Sequence, residues 1–367
     1  METYFLKSED ISRFCQRIEE EFDLYLPVKS IPPFALKCAH NFILPVDDFR
    51  LGRYPAIDKE EAVFNPPYRC QEPLRAFFTR YKEKVCGYFA EGAAPRAGER
   101  PVAVCGVKNC DLFSLKIQDF VFLGGVAEDP LYKARRGSAL IISGDCSSFK
   151  EACFCRALGI NPHPSEGFDF NFSALNNGYL VDAATEKAKG IIASLPKVFV
   201  PAGLAQISGR SVKRESLISR LDEHLKPHQI PAKETLREIT LAGYNSAVWQ
   251  EEMRTCVECN GCVFACDTCH CFLLADQPAE AGGFERLRLW DGCLLKNFSL
   301  VAGGANPLRL RYMRLRNRYL KKFDFFTANT GMPGCCGCGR CIEVCPGKID
   351  IRRILKRLSD EKYLPAS

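Results

Sequence analysis

Two cysteine runs constrain this chain more than any other feature. Cys256, Cys259, Cys262 and Cys266 form one C-x2-C-x2-C-x3-C run, and Cys335, Cys338, Cys341 and Cys345 form a second that ends in Pro346. Closely spaced thiolates let a tight turn wrap three irons of one cubane, while the fourth, on the segment leading away, reaches a neighbouring cluster. Zinc sites usually pair two C-x2-C halves and carry no such triplet. The spacing therefore predicts two [4Fe-4S] clusters.

In two-cluster ferredoxins the last cysteine of each run ligates the other cluster. Applied here, the first cluster takes Cys256, Cys259, Cys262 and Cys345, and the second takes Cys335, Cys338, Cys341 and Cys266. The alternative, in which each run serves its own cluster, is left open by the long insertion between the runs. Gly261, Gly337 and Gly339 fit loops in which backbone must approach a cubane closely and aim N–H groups at its sulfurs.

Composition narrows the class. A chain of 367 residues, 47% of them hydrophobic, is long enough for two ordinary cores. The formal charge of +6 is not concentrated in a tail and says little for a nucleic-acid partner. The 21 cysteines far exceed ordinary usage, yet the chain is too long for a small disulfide scaffold. Its opening, METYFLKSEDISRFCQRIEEEF, has acids where a signal peptide would have an apolar core, and no stretch approaches a membrane span. A reducing, cytoplasmic setting in an anaerobic or microaerobic cell is expected, where exposed thiolate ligands survive best.

The fold class expected is α/β: a mixed α/β N-terminal domain over 1–230, a helix-rich ferredoxin-like dicluster domain over 231–358, and a C-terminal tail over 359–367. A surface helix is predicted from Ser8 to about Phe22, with Ile11, Phe14, Ile18 and Phe22 on one face. The proline-broken stretch PVKSIPPFALKCAHNFILP reads as extended segments and turns. Pro101 to Val107 and Ser138 to Ser143 are nearly all-apolar runs expected of strands buried on both faces, with a helix over Asp111 to Phe122 between them. Gly178 to Asp182 and Lys197 to Pro201 bracket a helix over Glu186 to Leu195. Helical patterns follow over Glu215 to Leu225, Lys233 to about Glu252, and Asn306 to Phe323.

Familiar catalytic and nucleotide signatures are missing. No G-x-G-x-x-G follows a strand, and there is no P-loop, H-E-x-x-H or G-x-S-x-G. His224 and His228 are four apart, but Pro227 is expected to break a shared helix face. His270, between two cysteines, reads equally as ligand or as support for one. No catalytic side chain is assigned.

Further cysteines lie outside the two runs. Cys110 and Cys146 each follow a predicted strand, where loops at one sheet edge can gather them with Cys153 and Cys155. Four thiolates are a full ligand set for a third [4Fe-4S] or a structural zinc, so these four are a candidate third metal site. Cys269, Cys271 and Cys293 lack a fourth partner, and Cys15, Cys38, Cys70, Cys86, Cys105 and Cys336 read as small buried hydrophobes. The segment from Asn306 interleaves Arg309, Arg311, Arg314, Arg316, Arg318, Lys321 and Lys322 with apolar residues. It reads either as a solvated face or as cations that offset cluster charge and dock an acidic partner.

With these residues in view, the chain resembles the iron–sulfur subunit family that includes the β subunit of cytoplasmic sulfhydrogenases and the A subunit of anaerobic sulfite reductase. The resemblance rests on CVECNGCVFACDTCHCF, LWDGC, AGGANPLRLRYMRLRNRYLKKF and CCGCGRCIEVCPGKIDI in that order. It extends into the N-terminal half through CGVKNCDL, DPLYKARR and CSSFKEACFC. The resemblance implies a non-catalytic electron-transfer subunit that relays single electrons between a flavin/NAD(P)H diaphorase-type subunit and a terminal catalytic subunit of hydrogenase or sulfite reductase type. It also carries cluster ligation onto the eight cysteines of the two runs. Asp267 stands where that family usually has proline. The competing expectation is a self-contained iron–sulfur oxidoreductase with a substrate or flavin site in its N-terminal domain.

Overall fold

The structure is a computed structural model describing residues 2–29, 49–54, 62–88, 100–280 and 282–363. Cys38, His40 and most of the proline-broken segment lie outside the described residues. The N-terminal half opens with β1 (Glu2–Lys7), α1 (Ile11–Glu21), β2 (Asp23–Lys29), β3 (Phe49–Arg53) and β4 (Lys82–Tyr88). It continues through β5 (Val102–Val107), α2 (Asn109–Leu123), α3 (Pro130–Ser138) and β6 (Leu140–Gly144). After β7 (Phe170–Leu175) and β8 (Gly178–Ala183) come α4 (Glu186–Ala193), β9 (Phe199–Pro201) and the long α5 (Leu204–Leu225).

Eight of these strands form one mixed sheet in the order β3-β2-β5-β6-β7-β8-β1-β9. The centre, β2-β5-β6-β7, is parallel, and β3, β8, β1 and β9 add antiparallel flanks. All five residues of β6 are buried, and so are all but the first of β5. That is the pattern of strands covered on both faces, and it explains why their sequences are continuous rather than alternating in hydrophobicity. One face packs around Phe14 of α1, whose ring meets Phe64, Phe170 and Phe199 edge-on. The other face carries Leu112, Leu115 and Phe122 of α2 with Tyr132 of α3. Because β5 and β6 are parallel neighbours, Cys110 at the start of α2 and Cys146 just beyond β6 lie at the same edge of the sheet.

The C-terminal half contains α6 (Leu236–Ala242), α7 (Val248–Glu252), α8 (Gly261–Phe264), β10 (Phe272–Pro278), β11 (Phe284–Trp290) and α9 (Arg311–Tyr319). A π-helical turn over Leu320–Phe325 leads into α10 (Phe326–Thr330), followed by α11 (Arg340–Glu343) and α12 (Ile351–Tyr363). The single helix expected from Lys233 to Glu252 is broken at Gly243–Asn245. There the backbone passes so close to Leu358 of α12 that a Cβ on Gly243 would lie 2.6 Å from its Cδ2. Trp249 Nε1 then donates to the Gly243 carbonyl at 2.7 Å, tying the break down. The helix expected from Asn306 starts later, at Arg311, because Asn306 and Pro307 sit in a turn in which Ser299 Oγ donates to Asn306 Oδ1 at 2.6 Å.

An unexpected element lies in the insertion between the cysteine runs. β10 and β11 form a hairpin, and β4 from the N-terminal half adds to its edge in the order β10-β11-β4. The second core is likewise shared: Phe154, Leu158 and Ile160 pack with Trp249, Leu315, Tyr319, Phe323, Ile354 and Leu355. The cysteine loops are thus held by both halves of the chain.

Candidate metal centres

The two cysteine runs adopt the same backbone. In the first, Glu258 and Asn260 take left-handed φ values of 57° and 58°, and in the second Gly337 and Gly339, at the same offsets, take 65° and 77°. Each run then enters a single helical turn, α8 or α11. Gly261, expected to be required for close approach, is not: a Cβ there would make ordinary contacts of 3.5 Å with Val344 and 3.7 Å with Cys259 Sγ. The conformation demanding glycine falls instead on Glu258 and Asn260, the latter a residue type that tolerates it. In the second run glycine is needed twice over. A Cβ on Gly337 would lie 2.6 Å from the Cα and N of Cys155, and one on Gly339 would collide with the backbone of Ala152.

Each loop surrounds a cavity. Cys256, Cys259 and Cys262 line the first together with Cys345 from the other run, and Arg318, Tyr319, Leu315 and Cys341 close its floor. The second is lined by Cys335, Cys338 and Cys341 together with Cys266 from the first run, and by Phe154, Arg318 and Lys322. Backbone N–H groups point at sulfur, from Glu258 to Cys256 Sγ and from Ile349 to Cys345 Sγ, both at 3.4 Å. Among the described residues no three cysteine sulfurs lie mutually within 4.8 Å. Four thiolates on one zinc, each at ~2.3 Å from it, would have to. The thiolates of a cubane bind separate irons and need not lie so close.

The basic segment resolves into two faces. Arg314, Arg318 and Lys322 recur at helical spacing and are 1%, 4% and 6% exposed, whereas Arg309 and Arg311 are exposed. Arg318 borders both cavities, donating to Cys269 Sγ at 3.4 Å and to the Cys262 carbonyl at 2.9 Å. Lys322 donates to Cys266 Sγ at 3.5 Å and to Thr268 Oγ1 at 2.7 Å. A hydrogen bond from Cys269, reinforced by Lys322 and Arg318, holds the Cys266 thiol well below its ordinary pKa. A hydrogen bond from Cys336, with Arg340 and Arg69, brings Cys338 down to about 6. Burial pushes Cys262 up to about 12 and Cys335 to about 11, a penalty that metal ligation removes because a coordinating thiol is deprotonated outright. The donor sets fit iron.

Sequence reading missed the contribution of the N-terminal half. Arg75, buried, donates to the carbonyls of Cys269 at 2.6 Å and Val263 at 3.1 Å and stacks 3.7 Å over Trp290. Arg340 of the second run pairs with Asp111 at 2.7 Å and Asp267 at 3.4 Å and donates to the Cys70 carbonyl. Asp267 is fully buried there, and desolvation raises its pKa to about 7 against the pull of Arg340. Arg69 donates to the Cys338 carbonyl at 2.5 Å and pairs with Glu343 at 2.7 Å. No local motif marks these arginines, because their partners are distant in sequence.

The four N-terminal cysteines lie beside the second loop. Phe154 N donates to the Gly337 carbonyl at 2.8 Å. Burial raises the pKa of all four, and mutual proximity adds to it: Cys155 feels Cys153 and Cys146, and Cys110 feels Cys338 and Cys155. Arg69 Nη1 is buried without a hydrogen-bond partner. Burial and Arg340 work against its charge, but Glu343, Cys338 and Cys153 hold the pKa above its ordinary value. An orphaned cationic donor among thiols suits a sulfur-rich, negatively charged group.

Other candidates separate. Lys321 donates to Cys271 Sγ at 3.8 Å, Cys293 is buried, and Cys336 bonds to Cys338. His270 Nδ1 turns to the Thr268 carbonyl at 3.2 Å, and burial lowers its pKa to about 4. Pro227 does not keep His224 and His228 apart, because the chain continues as a 3-10 turn over Lys226–His228 and the rings lie 5.5 Å apart. With Glu151 they form a three-ligand group, but Arg352 occupies it, bonding Glu151 at 3.0 Å and His228 Nε2 at 3.1 Å. No helix among the described residues is long and apolar enough to cross a membrane.

Residues 255–349 match the 4Fe-4S dicluster domain family. The whole chain is similar to the sulfhydrogenase 2 subunit beta of Pyrococcus furiosus, 28% identical over 355 residues that cover 97% of this chain and 98% of the relative. No solved structure matches the chain. The chain is thus an iron–sulfur protein with a C-terminal 4Fe-4S dicluster domain, resembling the sulfhydrogenase β subunit along nearly its whole length.

Proposed function

We propose that this chain is the electron-transfer subunit of a sulfhydrogenase-type oxidoreductase, passing single electrons between a flavin/NAD(P)H diaphorase-type subunit and a terminal catalytic subunit of hydrogenase or sulfite reductase type. One [4Fe-4S] is assigned to Cys256, Cys259, Cys262 and Cys345, and the other to Cys335, Cys338, Cys341 and Cys266. The observation that carries this reading is the lining of the two cavities: each holds three cysteines of one run and the last of the other, with Cys341 also bordering the first and Cys336 the second. Bound clusters supply reversible one-electron storage. The protein's own part is to aim N–H groups and Lys322 at the sulfurs and to set the Arg318 charge beside both cavities, which favours the more negative reduced state.

Cys110, Cys146, Cys153 and Cys155 are proposed to hold a third [4Fe-4S] beside the second loop. Their proximity to one another and the orphaned Arg69 Nη1 support it. Iron and acid-labile sulfide in the anaerobically purified chain test both assignments. About eight irons match two cubanes and about twelve match three, at four irons per cubane. Cys345→Ser should damage the site of Cys256, Cys259 and Cys262 while sparing the other, seen as loss of one EPR signal of the reduced chain. Damage confined to the second site would refute the exchange of ligands.

A second reading, a self-contained oxidoreductase, is favoured by one observation. A broad cleft between the halves is lined by Asn109, Phe113, Lys116, His163, Lys233 and Met332. Flavin co-purifying with the isolated chain would support it.

A further inference from the structure

We propose that the surface around Cys259 is the docking site for an electron-transfer protein whose own redox centre is ringed by acidic side chains. The inference rests on assigning a cluster to Cys256, Cys259, Cys262 and Cys345. The two loops differ in one decisive respect: Cys259 is exposed, whereas Cys335 and Cys338 are buried. A carrier exchanging electrons with another protein needs one short route to solvent, and only the first loop offers it among the described cysteines of the two runs.

The rim of that loop is basic. Arg311 reaches the Cys256 carbonyl at 2.5 Å. Thr255 Oγ1 donates to the Gly347 carbonyl at 2.7 Å, which brings exposed Arg254 and exposed Lys348 to the same mouth. On the other side Arg314 bonds both the Arg309 carbonyl, at 2.8 Å, and the Glu258 carboxylate, fixing exposed Arg309 beside the loop. Among the described residues Arg254, Arg309 and Lys348 have no acidic side chain paired with them, whereas Glu258, the acid in the loop itself, is matched by buried Arg314. The uncompensated charge is therefore positive. Within it lie apolar contacts for a dry centre, Val257 at 66% and Leu310 at 40% exposure. A basic rim around an apolar centre fits an acidic partner, with the charges steering encounter and the apolar patch excluding water.

The test uses the full chain in its oxidised, cluster-loaded form and a reduced acidic plant-type [2Fe-2S] ferredoxin as probe. One electron leaves the ferredoxin, which is oxidised, and enters the chain, which is reduced. Stopped-flow measurement should show the second-order rate constant falling at least about tenfold between ~0.01 M and ~1 M salt, where the screening length shrinks from ~30 Å to ~3 Å. The triple variant Arg254→Glu, Arg309→Glu, Lys348→Glu should lower the low-salt rate by about tenfold or more. Its iron content and its reduction by uncharged photoreduced deazariboflavin should match the unmodified chain. If the reversal variant loses iron, the milder Arg254→Ala, Arg309→Ala, Lys348→Ala variant is read in its place. Rates indifferent to both salt and substitution, in a chain with full iron, would overturn the docking surface alone. Absence of iron from the unmodified chain would overturn the ligand assignment on which it rests.

Discussion

The two cysteine loops share spacing and backbone, left-handed at the same two offsets, yet they occupy opposite environments. The first is open, with Glu258 and Cys259 exposed, and it meets its left-handed positions with Glu258 and Asn260. The second is enclosed by Ala152–Cys155, Arg69 and Arg340 and can use only glycine there. The loop backbone is thus set by the motif, whereas access, packing and tolerance to change are set by what the rest of the chain lays against it.

The contrast is broken most sharply at the arginines. Arg340→Ala would leave Asp111 and Asp267 as buried acids without their cation, at a cost of about 3–5 kcal/mol in stability. Arg311→Ala, at the open loop, should cost under about 1 kcal/mol. Chemical denaturation of both variants checks this, and equal losses would mean that the two loops are buried alike. Next in size, Gly339→Val should cost about 2–5 kcal/mol, from ~1–2 for the left-handed backbone and ~1–3 for overpacking against Ala152. Asn260→Gly, at the matching offset, should be close to neutral. The smallest effect is kinetic: under air with a chelator, iron should leave the Cys259 site before the enclosed one, followed by EPR of samples reduced at intervals.

Much of this was legible in the sequence. The paired runs marked the dicluster domain, and the apolar runs of β5 and β6 marked buried parallel strands, because both signals are local. What was not legible depends on partners far apart in the chain. Gly243, which breaks the expected helix, is required by Leu358, and nothing local marks Arg75 or Arg69, whose partners at Cys269 and Cys338 are far along the chain. The stripe of Arg314, Arg318 and Lys322 was visible as charge, but its burial contradicts the usual solvated face and follows only from the cysteine sulfurs it meets.

The borrowed strand β4 carries a consequence for biosynthesis. Arg288 of β11 clasps Glu83 of β4 across 205 positions of chain. At ~5–20 residues per second of synthesis, the edge of β4 waits roughly 10–40 s for its partner, bare to any other strand. Cys345 emerges later still. On the ligand assignment proposed above, the first site lacks its fourth thiolate until Cys345 has been made, and a ribosome-stalled product short of β11 would present a sticky edge and an unfinished ligand set together.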